Sequence, residues 1–297
     1  MVSIIIPSYN SEQTIEKCLR SLKNQNYRSE YEIILVDSSN DETPRIVKEK
    51  FSEVTLIHKN NRTDPGTARN LGITKAQGDL IIFLDADCIP ASDWLEKHVN
   101  AHRQQYIAVG GAIHNSKESQ NAVGYAGYIS EFREFIPERS RAEVAHVPTC
   151  NISYKKEVFE KYGQFRGEYY PQEDLVFNYH LARSGEKILF DPSIIVYHIH
   201  RSDFKAFMQH QKKIGRITAQ VLEQFKLKGR FLVRHRIIAF PLILCLPIIK
   251  FCRTLLVFLK YKPGIFFIKP CAVILFGLGL LIWEIGFVSY IFNFGKE

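Results

Sequence analysis

The chain has 297 residues, of which 46% are hydrophobic and 24% charged, and its formal net charge is +8. This composition excludes a disordered or fibrous protein and allows one large core, or one globular domain with a membrane appendage. The positive charge suits nucleic acid, anionic lipid or a phosphate-bearing substrate, so its position along the chain has to decide between these partners.

The cysteines and the N-terminus both favour a reducing compartment. The six cysteines form no CxxC pair, and three of them lie in apolar sequence near the C-terminus. A disulfide framework or a zinc site is therefore not expected. The chain starts without a basic leader or a long apolar stretch, which predicts a cytoplasmic location for the globular part.

The first hundred residues alternate short apolar runs with helical patterns, which predicts an α/β fold with a doubly wound, mostly parallel sheet. The runs are residues 3–7, 32–36, 54–57 and 80–84. Ile15, Leu19 and Leu22 fall at helical spacing between the first two runs. Further along, strands are predicted at 107–113, 151–154 and 193–200, with a helix from about Asp174 to Arg183.

The C-terminal part has the composition of a membrane module. A basic run from Lys226 to Arg236 precedes apolar sequence, and Cys271 to Phe292 contains one charge, Glu284. That stretch exceeds the ~20 residues that a spanning helix needs, so one span is predicted there. The segment 237–259 is interrupted by prolines and cations, and the sequence leaves open whether it spans, re-enters or lies in the interface.

Two acidic motifs follow predicted strands. In LIIFLDADCIP, Asp85 and Asp87 reach the end of a buried strand, where paired carboxylates suit Mg²⁺ or Mn²⁺ holding a diphosphate. The alternative is a solvated turn whose acids cap the next helix. In ILVDSSNDET, Asp37 can accept from a base N–H or a ribose hydroxyl, whereas Ser39 or Asp41 can instead cap a helix that begins near Glu42.

The ordered motifs SIIIPSYN, LVDSSNDET, GTARNLG and FLDAD resemble the nucleotide-binding half of the family 2 inverting glycosyltransferases, which have a GT-A fold. NISYKKEVFEKYGQF and PQEDLVFNYHLARSGEKILFDPSIIVYH resemble the acceptor half, so the resemblance covers about residues 1–201. It implies a nucleotide-sugar-binding half at 1–105 and an acceptor-binding and catalytic-base half at 106–225. The basic juxtamembrane segment and membrane module then occupy 226–297.

The resemblance also implies roles for single residues. Asp87 would ligate the metal, with Asp85 at the ribose or the metal's water shell, and Asp37 would recognise the base. The remaining donor-binding residues implied by the motifs are Pro7, Tyr9, Asn10, Arg69 and Ala86.

In the family's Glu-Asp motif the aspartate is the catalytic base, which corresponds to Asp174 here, with Glu173 beside it. A position at a helix start favours ionised carboxylates, although acids there can also merely cap the helix. His198 and His200 share one face of a predicted strand, and either could complete the metal site. His198 is favoured, and a structural histidine is the alternative.

The predicted function is inverting, metal-dependent transfer from a nucleotide diphosphate sugar, in the first place a UDP-sugar, to a hydroxyl of a glycan or lipid-linked glycan. Mn²⁺ or Mg²⁺ is the only cofactor expected. The stretch HQKKIGR lacks the Gln-x-x-Arg-Trp pattern of processive relatives, which favours single transfer. The alternatives are transfer to polyprenyl phosphate and a catalytically inactive, membrane-tethered sugar-nucleotide-binding protein. Nucleic acid is not expected as a partner, because the basic run adjoins apolar sequence and suits membrane lipid better.

Overall fold

The computed structural model describes residues 1–292. The chain divides into two compact units. The first unit contains Met1–Ser116 and Phe135–Ile199, and the second contains Lys117–Glu134 and the chain from His200 onward. The three-part functional division drawn from the sequence stays a prediction.

The first unit is built on one nine-stranded sheet with the order β3-β2-β1-β4-β8-β6-β9-β5, and β7 pairs with β9. The strands β1 to β4 run parallel to their neighbours in that part of the sheet, and β6 runs parallel to β9. The strands are β1 Val2–Ser8, β2 Tyr31–Asp37, β3 Thr55–His58, β4 Leu80–Leu84, β5 Cys88–Pro90, β6 Ala108–Asn115, β7 Ala142–Val144, β8 Asn151–Lys155 and β9 Ile188–His198. The predicted α/β fold with a mostly parallel sheet is confirmed.

Helices cover this sheet. Those of the first unit are α1 Ile15–Lys23, α2 Thr43–Lys50, α3 Pro65–Lys75, α4 Trp94–Ala101, α6 Glu157–Tyr162 and α7 Glu173–Arg183, with a 3-10 turn at Gly167–Tyr169. α3 begins at Asp64, whose Oδ1 accepts from Thr67 N at 2.9 Å, and Pro65 occupies its first turn. A Cβ on Gly72 would lie 2.4 Å from Ile5 Cγ2, so α3 packs directly on β1. This close approach fixes the position of the side chains on α3.

The core of the first unit lies on both faces of the sheet. Every residue of β1 is buried, as expected for a strand covered on two sides. On one side, Phe83 packs edge-on against Tyr154, Phe159 and Phe165 at centroid distances of 5.3 to 5.9 Å. This aromatic cluster supports β4, which carries the acidic turn described below.

The second unit is helical. Its helices are α5 Ala122–Glu131, α8 Phe204–Gln224, α9 Arg230–Arg234, α10 Arg236–Leu244, α11 Leu246–Tyr261, α12 Gly264–Ile268 and α13 Pro270–Ile291. Within residues 1–292, α13 is the single unbroken helix that is long and apolar enough to cross a membrane, with a mean hydropathy of 2.3. α10 and α11 pass the same test only as a pair, and they are bent by 45° where they meet.

Candidate active site

The acidic turn between β4 and β5 brings Asp87 to a histidine of a distant strand. β5 pairs with β9 so that Cys88 lies opposite His198, and His198 Nε2 is 3.5 Å from Asp87 Oδ1. One ligand atom each from Asp87, Cys88 and His198 lies within 4.8 Å of the others. A carboxylate oxygen and an imidazole nitrogen at this spacing fit a divalent ion such as Mn²⁺. Asp87 and His198 are two of the three predicted metal ligands, whose role stays a prediction, and Cys88 is an addition that the sequence did not indicate.

The third predicted ligand, Asp85, is held by an arginine. Arg69 on α3 donates from Nη2 to Asp85 Oδ1 and from Nη1 to Glu173 Oε1, both at 2.7 Å. The Arg69 side chain is only 3% exposed. Burial disfavours its charge, but Asp85, Glu173 and Asp174 outweigh burial and raise the pKa of Arg69. A permanently charged arginine therefore joins the acidic turn to the start of α7.

Glu173 and Asp174 have different surroundings although they are adjacent. Burial raises the pKa of Glu173, Arg69 opposes that effect, and the charge of Asp174 adds to it. Asp174 Oδ2 accepts from Thr149 N at 3.1 Å and from Thr149 Oγ1 at 3.3 Å, and its Oδ1 accepts from Leu175 N at 2.6 Å. Because each acid bonds to a partner outside α7, this pair does more than cap the helix.

The end of β2 places Asp37 in a fully buried position. Its Oδ1 accepts from Ser39 Oγ at 2.5 Å, and its Oδ2 lies 2.8 Å from His58 Nδ1. Asp37 and His58 are register partners at the ends of β2 and β3. His58 was missed in the sequence because no motif marks it, although it directly follows a predicted strand. Asp41 accepts from Thr43 N at 3.0 Å at the start of α2, which fits the capping alternative for this residue.

The predicted donor-binding residues that follow β1 connect the end of β1 to the loop after β2. Asn10 has a φ of 51° and donates from its backbone N to Ser39 Oγ at 2.7 Å. Its Oδ1 accepts from Asn40 N at 3.1 Å. The Tyr9 ring lies under the Arg62 guanidinium, with 4.4 Å from Cζ to the ring centroid. Both side chains are exposed beyond the carboxyl ends of β1 and β3, and this Tyr9 and Arg62 shelf presents a cation–aromatic surface to solvent.

The two remaining predicted donor residues are buried. Pro7 lies within β1, opposite Val36 of β2. Ala86 is 5% exposed in the acidic turn between Asp85 and Asp87.

Comparison with known proteins places the chain among glycosyltransferases. The model of the family described as glycosyl transferase family 2 matches residues 3–163. Glycosyltransferase AglE of Haloferax volcanii is 27% identical over 241 residues, which are 77% of this chain and 77% of that protein. A dolichyl N-acetyl-α-D-glucosaminyl phosphate 3-β-D-2,3-diacetamido-2,3-dideoxy-β-D-glucuronosyltransferase of Methanococcus voltae is 29% identical over 231 residues, 72% of this chain and 71% of that protein.

Solved structures agree on the fold. The mannosyltransferase PcManGT from Pyrobaculum calidifontis, in complex with GDP-Man and Mn²⁺, superposes with a TM-score of 0.66 at 19% identity, covering 99% of this chain and 88% of that one. Residues 1–349 of TarS from S. aureus, in complex with UDP-GlcNAc, give a TM-score of 0.55 at 17% identity, covering 100% and 93%. The predicted GT-A fold is thus confirmed.

Proposed function

The chain belongs to glycosyl transferase family 2 and is a glycosyltransferase, and from this premise we propose an inverting, metal-dependent, single transfer from a nucleotide diphosphate sugar to a hydroxyl of a lipid-linked glycan. The observation that carries this proposal is the position of Arg69 between Asp85 and Glu173. Residues implied for donor binding and residues implied for catalysis thereby form one connected cluster.

Asp174 is the general base in this proposal. Its carboxylate takes the proton from the acceptor hydroxyl as the oxygen attacks the anomeric carbon from the side opposite the diphosphate, so the product is inverted. Thr149 holds the carboxylate from outside α7. Glu173 is buried and accepts a hydrogen bond from Arg69, so it acts as the positioning residue. Asp174 is then the residue that takes the proton.

The donor lies along the carboxyl edge of the sheet in this proposal. The Tyr9 and Arg62 shelf and the Asp37 and His58 pair would contact the nucleoside, because both lie at the ends of β1 to β3. Asp87 and His198 would hold Mn²⁺ or Mg²⁺. When bound, that ion supplies positive charge to the departing diphosphate.

The acceptor is proposed to be lipid-linked for two reasons. The relative from M. voltae is named for transfer to a dolichyl N-acetylglucosaminyl phosphate. The second unit of this chain exposes large apolar side chains on its helices, as a protein working beside lipid would. A hydroxyl is favoured over polyprenyl phosphate because a phosphate oxygen is already ionised and would not require Asp174.

The test is a calorimetric binding panel with UDP-sugars and GDP-sugars, since the two similar structures contain donors of both kinds. The wild type should bind one donor more tightly with Mn²⁺ than with a chelator. Asp87→Ala should remove that difference, because the diphosphate loses the ion that screens its charge.

The matched control is Asp79→Ala. Asp79 directly precedes β4 at the end opposite Asp85 and Asp87, and its side chain is 96% exposed. This variant should bind donor as the wild type does. Equal donor affinity with Mn²⁺, Mg²⁺ and chelator would rule out the proposed metal role.

A further inference from the structure

α13 is built into the second unit by direct backbone contact with α8. A Cβ on Gly215 would lie 1.8 Å from Trp283 O, and one on Gly286 would lie 1.9 Å from Lys212 O. Gly279 likewise leaves room for the ring of Phe207, which would be 2.9 Å from an added Cβ. These contacts lie near the middle of α13, so α8 packs against the midpoint of α13.

α8 carries exposed cations at the level of this contact. Lys212, Lys213 and Arg216 are exposed on α8, within four residues of Gly215. If α13 crossed a bilayer with its midpoint at the bilayer centre, these three cations would enter the acyl region. Charged side chains at that depth are strongly disfavoured unless they face protein or water. The packing of α8 on α13 therefore conflicts with a centred span.

The side of α13 away from this packing is apolar and open. Ile274, Leu278, Leu281 and Ile285 are 44 to 65% exposed and follow each other at steps of four, three and four residues. This spacing puts them on one stripe of the helix, about 17 Å long. One face of α13 thus packs on protein while the other presents hydrocarbon along most of its length.

The neighbouring helices add to this apolar surface. Ile237 and Ile238 on α10 and Phe267 and Ile268 on α12 are 72 to 85% exposed. Side chains of this size at this exposure need an apolar phase to cover them.

The charge of the second unit indicates which apolar phase covers these side chains. Residues 226–283 contain ten lysines and arginines and no aspartate or glutamate. Lys226, Lys228 and Arg234 are exposed, so part of this charge is available at the surface. A second copy of the chain would bring the same cations to the contact and be repelled. An anionic leaflet matches both the basic charge and the apolar side chains.

We infer that the second unit is a monotopic platform on an anionic lipid leaflet, with α13 lying in the interface plane and its open stripe entering the acyl boundary, in place of the predicted span. α13 is apolar nearly all round, and its packing on α8 leaves one apolar face for the ~5–10 Å insertion that interfacial helices make. This inference goes beyond the proposed transfer and does not depend on it, because it concerns α8 to α13 and uses no residue of the active site.

The topology test uses the full chain with a C-terminal tag, expressed in a bacterium. The exposed cysteines Cys245, Cys252 and Cys271 are replaced by serine, and Lys260→Cys adds one thiol at the exposed end of α11. A membrane-impermeant maleimide and a protease are applied separately to spheroplasts and to inverted vesicles. Detergent-permeabilised samples show that thiol and tag are both reactive.

The platform predicts that the thiol at position 260 and the tag both react only in inverted vesicles. A tag that is cut in spheroplasts would show that α13 spans. A thiol that is labelled in spheroplasts, with the tag protected, would show a hairpin in which α10 and α11 cross together. Either result would overturn the inference, and neither would bear on donor binding.

A second measurement tests whether the second unit binds an anionic leaflet. Purified full-length protein is sedimented with phosphatidylglycerol-containing vesicles and with phosphatidylcholine vesicles. Lys226→Gln with Lys228→Gln should weaken anionic binding about 30-fold, since each charge near the surface contributes about fivefold. Lys48→Gln with Lys75→Gln, which removes exposed lysines of the first unit, should change it little. If the protein formed a dimer without lipid and sedimented with neither kind of vesicle, its apolar face would serve self-association, and the inference would be overturned.

Discussion

The two units differ in which side chains they bury: the first buries charged side chains, and the second exposes large apolar ones. In the first unit Arg69 and Glu173 are buried and bonded to each other, and Asp37 is buried against Ser39 and His58. In the second unit large apolar side chains are exposed, and exposed cations such as Lys226 lie in the stretch 226–283, which contains no aspartate or glutamate. Burying a charge is costly unless it is paired, so a fold retains such groups where chemistry needs them. Exposing hydrocarbon is costly in water, so a fold retains it where lipid or a partner covers it.

The largest expected effect tests whether the carboxylates at the start of α7 serve catalysis. Asp174→Asn should lower the transfer rate ~10²- to 10⁴-fold, because the amide cannot take the acceptor's proton. Donor affinity should stay at the wild-type level, since the side-chain hydrogen bonds of Asp174 go to Thr149 and Leu175 and to no residue proposed for donor binding. Steady-state transfer beside a donor titration measures both.

The control for that variant is Asp93→Asn, which changes another aspartate at a helix start. Asp93 precedes α4, and its side chain is 43% exposed. Its loss should leave the transfer rate unchanged. A wild-type rate in Asp174→Asn would remove Asp174 from the mechanism and leave Glu173 as the next candidate.

The next effect compares ion pairs of the two units directly. Arg69→Met leaves Glu173 buried without its cation and should cost about 3–5 kcal/mol of unfolding free energy. Arg253→Met in the second unit breaks the Arg253–Glu134 pair, whose side chains are 65% and 30% exposed, and should cost less than about 1 kcal/mol. Urea unfolding of both full-length variants gives the two values.

A double variant identifies the cause of the larger loss. Arg69→Met combined with Glu173→Gln should recover part of the stability, because the unpaired buried charge is gone. Equal costs for Arg69→Met and Arg253→Met would contradict the contrast drawn between the units.

The sequence predicted the sheet well where strands are long and buried on both faces. The run at 80–84 coincides with β4, and the runs at 3–7 and 32–36 lie within one residue of β1 and β2 at each end. β5 and β7, with three residues each, went unpredicted. Strands of that length are too short to show a period of two, and pairing with β9 creates them.

The site was predictable as a set of residue types but not as a set of contacts. Asp85, Asp87 and Asp174 stand out in the sequence because strand ends and helix starts collect functional acids. The bond between Arg69 and Glu173 joins residues 104 positions apart. His198 comes near Asp87 and Cys88 only through the register of β5 with β9. Such contacts arise from tertiary packing, which no local pattern encodes.

The smallest expected effect concerns two neighbouring histidines of the first unit, His98, which is buried, and His102, which is partly buried. His98 is fully buried, with Nδ1 2.9 Å from Ser153 Oγ and Nε2 3.2 Å from Asn151 Oδ1. Burial and the neighbouring His102 lower the pKa of His98 to about 3. Burial and Lys155 lower the pKa of His102 to about 4. Both rings are therefore neutral in the folded protein at neutral and mildly acidic pH.

Because the folded pKa values lie below the ordinary value of 6.5, these histidines contribute stability that is present above pH 6.5 and is lost as the pH falls toward 4. Between pH 7 and 5.5 the loss should be about 1–3 kcal/mol for the pair, since one pH unit below the unfolded pKa corresponds to ~1.4 kcal/mol per group. His102→Gln should remove about half of this dependence, whereas His180→Gln, at an exposed position of α7, should leave it unchanged. Hydrogen exchange of the full chain locates the effect: amides of α4 and β8 should lose protection at pH 5.5 while those of α13 keep it. Equal loss in α13 would show that the acid sensitivity comes from the whole chain and not from the neutral His98 and His102 of the first unit.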